Sequence, residues 1–249
     1  MSLLFRSLGL TFLILRGCFT LGLLWPNYSP SQRQASLQRW SSDLLRHLRL
    51  TVNLRGQWPC NTDAHLLTSN HVSWTDIFII QSRYPVRFIS KSEVRHWPIF
   101  GWLATHTGTL FLDRHSRRQT LTIGQEMISI LNQGESIGLF PESTTSAGQD
   151  VLPFKTSLLQ APLDCQATLL PVALRYHPPY EKAESAYPFI GEMSFLTSLK
   201  RILLSPPSQV TLTVGKPCPA HHLGNDRRIL AQRLHAITRE LLSSTESTP

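Results

Sequence analysis

The chain has 249 residues, 41% of them hydrophobic and 16% charged, and 24 Lys and Arg against 16 Asp and Glu leave it a net charge of +8. That length suits one large domain or two small ones, and that composition excludes a disordered chain. The positive surplus points to an anionic partner: nucleic acid, a phosphorylated substrate or an acidic membrane face.

The first element is an apolar run over residues 7–25, about as long as a helix that crosses a bilayer, with Arg16 near its middle. Arginine is costly at mid-bilayer, so two arrangements stay open. The helix spans, or it lies shallowly with Arg16 snorkelling to the head groups. A cleaved signal peptide fits poorly, because Arg16 breaks the apolar core and Trp25-Pro26-Asn27 follows. Leu15-Arg16-Gly17-Cys18 is likewise a poor lipoprotein box. A retained hydrophobic anchor over residues 1–27 is the expectation. Next, Leu37, Trp40, Leu44, Leu45 and Leu48 recur at helical steps, with Arg33, Arg39, Arg46, His47 and Arg49 interspersed. This predicts a basic amphipathic helix within residues 28–55, suited to an anionic membrane surface.

From residue 56 to 249, short apolar runs alternate with helical periodicity. Strands are predicted over 64–68, 86–90, 109–112, 136–140, 168–174 and 210–214, and helices over 74–81, 119–132 and 226–242, before a frayed tail at 243–249. Gln133-Gly134 ends the middle helix as a C-cap. Interleaved strands and helices predict an α/β domain whose largely parallel sheet is flanked by helices. Such sheets bind ligands in the loops at their strand carboxyl ends. The four cysteines, Cys18, Cys60, Cys165 and Cys218, sit at neither zinc nor redox spacing. They read as small hydrophobes in a reducing compartment, with no structural metal implied.

Four segments stand out, and the titrating groups in them sit just past predicted strands. In Asn70-His71-Val72-Ser73-Trp74-Thr75-Asp76, a loop His71 and an Asp76 on the following helix can pair. The carboxylate then takes one ring nitrogen and leaves the other free as a base. Gly108-Thr109-Leu110-Phe111-Leu112-Asp113-Arg114, followed by Arg117 and Arg118, offers guanidinium groups that fork onto phosphate oxygens. Leu139-Phe140-Pro141-Glu142-Ser143-Thr144-Thr145-Ser146 sets an acid beside proline and hydroxyls. Leu169-Leu170-Pro171-Val172 holds no titrating group. Trp97, Phe100, Trp102 and Leu103 read either as core or as the lining of an acyl channel.

In this order the four segments resemble the 1-acylglycerol-3-phosphate acyltransferase superfamily, over roughly residues 64–175. They match its Asn-His-x4-Asp, Gly-x-x-Phe-x-Asp-Arg and Phe-Pro-Glu-Gly-Thr motifs and an apolar run with proline. Pro153-Phe154-Lys155 joins the third block. The resemblance implies transfer of an acyl group from an acyl-CoA or acyl carrier protein thioester to a lysolipid hydroxyl, with no further cofactor. His71 is then the base and Asp76 its orienting partner. Asn70, Arg114, Glu142, Ser143, Thr144 and Lys155 bind the substrates, with Arg114 on the acceptor's phosphate. Two departures stand out. Ser143 replaces glycine, which restricts the backbone if φ is positive there, and Thr145 replaces an arginine that serves the phosphate. The acceptor is therefore 1-acylglycerol-3-phosphate or another lysolipid such as lyso-ornithine lipid. The implied location is a membrane surface on the cytoplasmic side, the inner membrane if the source is bacterial.

Competing readings are weaker. A serine hydrolase would carry Gly-x-Ser-x-Gly on a strand-to-helix turn, whereas Gly134-Glu135-Ser136-Ile137-Gly138 follows a predicted helix and leads into a predicted strand. A nucleic-acid module would concentrate its basic residues in a recognisable motif, whereas here they are dispersed behind an apolar amino terminus.

Overall fold

A computed structural model describes residues 3–59, 63–180 and 184–244, so Cys60 and the tail 245–249 lie outside the described residues. The elements in chain order are α1 (Leu3–Phe19), α2 (Pro30–His47), β1 (Leu50–Arg55), β2 (His65–Ser69), α3 (Thr75–Gln81), β3 (Arg87–Lys91), α4 (Phe100–His106), β4 (Leu110–Leu112), α5 (Arg117–Asn132) and β5 (Ile137–Leu139). They continue with α6 (Gln160–Asp164), β6 (Thr168–His177), α7 (Phe195–Leu204), β7 (Ser208–Val214), β8 (Cys218–Pro219), α8 (Ala220–Leu223) and α9 (Arg227–Ser243). The strands form one sheet in the order β1-β7-β6-β2-β5-β3-β4, with β8 pairing the edge of β6.

The sheet is largely parallel, as expected: β6, β2, β5, β3 and β4 run the same way. β7 opposes β6, and β1 runs with β7. Strands buried on both faces put successive side chains into different layers. Leu67, Leu170, Val172 and Leu174 enter the core beneath α1, α2 and α3. Their neighbours Leu66, Leu169 and Ala173 enter the opposite core with Met127 of α5 and Leu230 and Leu234 of α9.

One expectation is corrected at the amino-terminal side. The basic helix ends at His47, and residues 50–55 form β1, in parallel register with β7 from Leu50↔Ser208 to Arg55↔Thr213. Leu50, Val52 and Leu54 alternate with Thr51, Asn53 and Arg55. That period of two outweighs the continuing basic character. The helix start is a capping box: Ser29 accepts from the Gln32 amide, and the Gln32 side chain returns to the Ser29 amide.

The segment Phe5–Asn27 is long and apolar enough to cross a membrane, with mean hydropathy 1.7. It is nevertheless docked along one side. Trp40 Nε1 donates to the Leu13 carbonyl at 2.9 Å, and His47 Nε2 donates to the Arg6 carbonyl at 2.6 Å. Gly9 and Gly17 make room, since a Cβ at either would meet His47 or Trp40 at 2.5 and 2.8 Å. Arg16, which the sequence left either mid-bilayer or reaching for head groups, pairs with Asp43 of α2. The opposite side of the run, Phe5, Leu8, Phe12, Leu15, Phe19 and Leu23, is exposed at helical steps.

Candidate active site

Three parallel strands end on one edge, and the segments with titrating groups leave from those ends, while residues 169–172 lie within β6. β2 hands over at Ser69 to Asn70 and His71, β4 at Leu112 to Asp113 and Arg114, and β5 at Leu139 to Phe140, Pro141 and Glu142.

His71 Nδ1 lies 2.8 Å from Asp76 Oδ2. The same oxygen accepts the Val72 and Ser73 amides at 2.7 and 3.0 Å, and Oδ1 accepts the Tyr176 hydroxyl at 2.5 Å. Asp76 is fully buried and accepts at every side. Each of these bonds needs a donor, so the imidazole carries its hydrogen on Nδ1 and presents a bare Nε2. The ring stacks on Phe140, centroids 4.1 Å apart and planes 13° apart. No protein group among the described residues bonds Nε2, and the His71 side chain keeps 19% exposure. The arrangement is an oriented base with one open nitrogen.

Tyr176 is a partner of Asp76 that the sequence did not reveal. It sits near the end of β6, and nothing in its local pattern marks it. Burial raises its phenol first and the Asp76 charge adds to this, so it remains the donor. Its oxygen lies 2.7 Å from Thr75 Oγ1, which donates in turn.

Glu142 is 2% exposed, and its Oε1 accepts the His71 amide at 3.2 Å. Desolvation pushes its carboxyl up to about 8, and the Asp76 charge adds to this. The amides of His71 and Leu152 and the Ser146 hydroxyl pull the other way. Expected as a substrate contact, Glu142 here supports the loop that carries the base. The Ser146 amide completes that support by donating to the His71 carbonyl at 2.8 Å.

Asn70 requires a correction. It is fully buried, its Nδ2 donates to the Leu174 carbonyl at 2.9 Å and its Oδ1 accepts the Leu174 amide at 2.8 Å. Both ends of the amide are engaged by the β6 backbone, so it staples the loop to the sheet where a substrate contact was expected.

The remaining predicted residues lie around the third segment. Arg114 Nη1 donates to the Ser143 carbonyl, which draws the second and third segments together. Ser143 adopts φ 61°, so the position where the family has glycine does require left-handed backbone. Thr144 is exposed. Thr145 donates its hydroxyl to the Phe189 carbonyl. The Lys155 amide donates to the Pro141 carbonyl at 2.8 Å, which places its exposed side chain beside the segment. Arg117 and Arg118 stand exposed in the first turn of α5. Phe195 of α7, an unexpected element, touches the rings of Trp74, Trp97 and Phe100 at 5.1, 5.6 and 4.9 Å. An aromatic cluster thus links the His71 segment to α4, where Trp102 stays 39% exposed.

Comparison with known proteins agrees. The Acyltransferase family matches residues 51–175. A 1-acyl-sn-glycerol-3-phosphate acyltransferase of Neisseria meningitidis is 32% identical over 86% of this chain and 83% of its own length. A lyso-ornithine lipid O-acyltransferase of Pseudomonas aeruginosa is 35% identical over 86% of this chain and 80% of its own. The crystal structure of the 1-acyl-sn-glycerophosphate acyltransferase of Thermotoga maritima superposes with a TM-score of 0.68 at 18% identity, covering 98% of this chain and 99% of that one, and so supports the fold. Four motifs in order, the convergence of three of them at one sheet edge and this likeness lead to one conclusion: the chain belongs to the acyltransferase family, with lysolipid O-acyltransferases among its relatives.

Proposed function

We propose that the protein transfers a fatty acyl group from a thioester, on coenzyme A or acyl carrier protein, to the free hydroxyl of a lysolipid. The observation that carries this reading is the open Nε2 of a His71 ring whose other nitrogen is held by Asp76. Nε2 removes the hydroxyl proton as that oxygen attacks the thioester carbonyl, and Asp76 stabilises the imidazolium that forms. When the tetrahedral intermediate collapses, the carbon–sulfur bond breaks and the departing sulfur takes the proton from imidazolium. No acyl-enzyme is required. Arg114, with the exposed Lys155 beside it, serves the acceptor's anionic group, and Ser143 and Thr144 line its approach.

The acceptor is 1-acyl-sn-glycerol-3-phosphate, giving phosphatidic acid for phospholipid synthesis. A lyso-ornithine lipid is the second reading, favoured by Thr145 standing where an arginine would serve a phosphate. The exposed apolar stripe of α1 supports seating at a membrane surface, with the helix lying along the domain and the catalytic unit on the cytoplasmic side. Residues 1–27 form the anchor, α2 the interfacial helix, and the chain from β1 onward the catalytic unit.

The test is a panel of lysolipid acceptors with a labelled acyl thioester and purified protein in detergent. Lysophosphatidic acid is expected to be the preferred acceptor, and His71→Ala to abolish product. Transfer to lyso-ornithine lipid alone would replace the first acceptor with the second. Undiminished turnover by His71→Ala would remove the mechanism.

A further inference from the structure

The amino-terminal side holds an unusual pair of cations. Arg6 of α1 is 5% exposed, and its Nη1 donates to the Leu203 carbonyl at the end of α7. Its Nε and Nη2 have no hydrogen-bond partner among the described residues. A buried guanidinium with idle donors is unfavourable unless an acceptor completes it. Arg6 lines a cavity of about 370 Å³ together with Arg49, Tyr180, Leu204, Ser205 and Pro206. Two guanidiniums thus share one space, and no carboxylate lines it among the described residues.

The second cation is held in place by its backbone. Arg49 adopts φ 60°, its amide donates to the Arg46 carbonyl at 3.0 Å and its carbonyl accepts the Ser208 amide at 3.0 Å. This left-handed turn between α2 and β1 delivers the side chain to the cavity. The Ser205 hydroxyl already donates to the Ile202 carbonyl, so the free donors are the two guanidiniums and the Tyr180 phenol. Three donors around a space that no acid lines among the described residues suit a tetrahedral oxyanion, which guanidinium binds through paired N–H groups. Leu204 of the lining is exposed, and so are Phe5 and Leu8, which flank Arg6 along α1. Donors within and apolar side chains outside match a lipid whose phosphate enters while its chains stay in the bilayer.

We propose that the cavity between α1, the α2–β1 turn and the α7–β7 junction binds the phosphate of an anionic membrane lipid. It is separate from the His71 site and anchors the amino-terminal helix to the bilayer surface. The assignment of a lipid as the source of the phosphate rests on the membrane reading given above.

The experiment measures thermal unfolding of the full chain in dodecyl maltoside. The arms are added phosphatidylglycerol, phosphatidylcholine, and inorganic phosphate at matched ionic strength. Phosphatidylglycerol is expected to raise the midpoint by roughly 5 °C at saturation. Arg49→Gln and Arg6→Gln should lose that rise, while Arg228→Gln, on the remote helix α9, should keep it. Arg49→Gln decides the matter if Arg6→Gln does not fold. No rise with phosphatidylglycerol, or an equal rise in Arg49→Gln, overturns the site. An equal rise from inorganic phosphate or phosphatidylcholine overturns its assignment to an anionic lipid. Acyl transfer by Arg49→Gln in detergent should match that of the parent chain. A parent chain without transfer would instead count against the acyltransferase reading, whatever the melting data give.

Discussion

Tyr176 donates its hydroxyl hydrogen to Asp76 Oδ1 at 2.5 Å, joining residues one hundred positions apart in sequence. The bond holds the carboxylate from the side opposite His71. Tyr176→Phe removes it and leaves the Thr75 hydroxyl without its acceptor. A hydrogen bond to a charged group is worth about 1.5–3 kcal/mol. We expect kcat to fall about tenfold or more, with KM for both substrates nearly constant. A change confined to KM would show that Tyr176 serves binding and not the positioning of Asp76.

Asp76→Asn keeps the shape but changes the donor pattern. An amide oxygen can still accept from His71 Nδ1 and the Val72 and Ser73 amides, with the nitrogen turned to the Tyr176 oxygen. The charge that stabilises imidazolium is then lost. By analogy with the aspartate of serine-protease triads, kcat should drop by about 10⁴. Steady-state rates alongside circular dichroism will separate this from unfolding. A folded Asp76→Asn protein within about tenfold of parent activity is inconsistent with the base assigned here.

Glu142 links stability to pH. Its carboxyl is raised from 4.5 to about 8 in the folded chain, so between those values the folded state holds more protons than the unfolded state. Stability attributable to this group is therefore greatest below about 4.5 and declines as pH rises toward 8. Glu142→Gln keeps an acceptor for the His71 amide without the titration. The parent's melting midpoint should fall between pH 6 and pH 9 more steeply than that of Glu142→Gln. Parallel curves would show that the carboxyl is not raised.

Arg114→Ala removes the cation nearest the Ser143 turn. A lost charge-assisted contact to phosphate predicts a rise of about tenfold or more in KM for a phosphorylated lysolipid. KM for the acyl thioester should stay unchanged. Equal effects on both substrates would detach Arg114 from the acceptor.

Ser143→Gly restores the residue that the backbone prefers at φ 61°. Relief of left-handed strain, offset by glycine's greater unfolded entropy, should stabilise the chain by up to about 1 kcal/mol. A chemical denaturation midpoint lower than the parent's would show that the serine makes a contact outweighing its strain.

The His71–Asp76 pair was legible because five residues of loop and first helical turn bring the two together locally. Most strands and the long helices were legible too, since their apolar period of two or 3.6 is written in consecutive residues. β1 was masked by the basic residues around it, although its alternation was present, and α7 is a short helix of ten residues followed after Ser205 by Pro206-Pro207.

Sequence by itself therefore determined the class of chemistry and the pairing of His71 with Asp76. Tertiary structure decided what surrounds them. The Tyr176 bond, the Leu174 backbone that occupies Asn70, the Phe140 ring beneath His71 and the Arg6–Arg49 cavity all join segments distant along the chain. Such partners are chosen by strand order and crossover connections, which bring remote residues to one sheet edge, and no local periodicity encodes that choice.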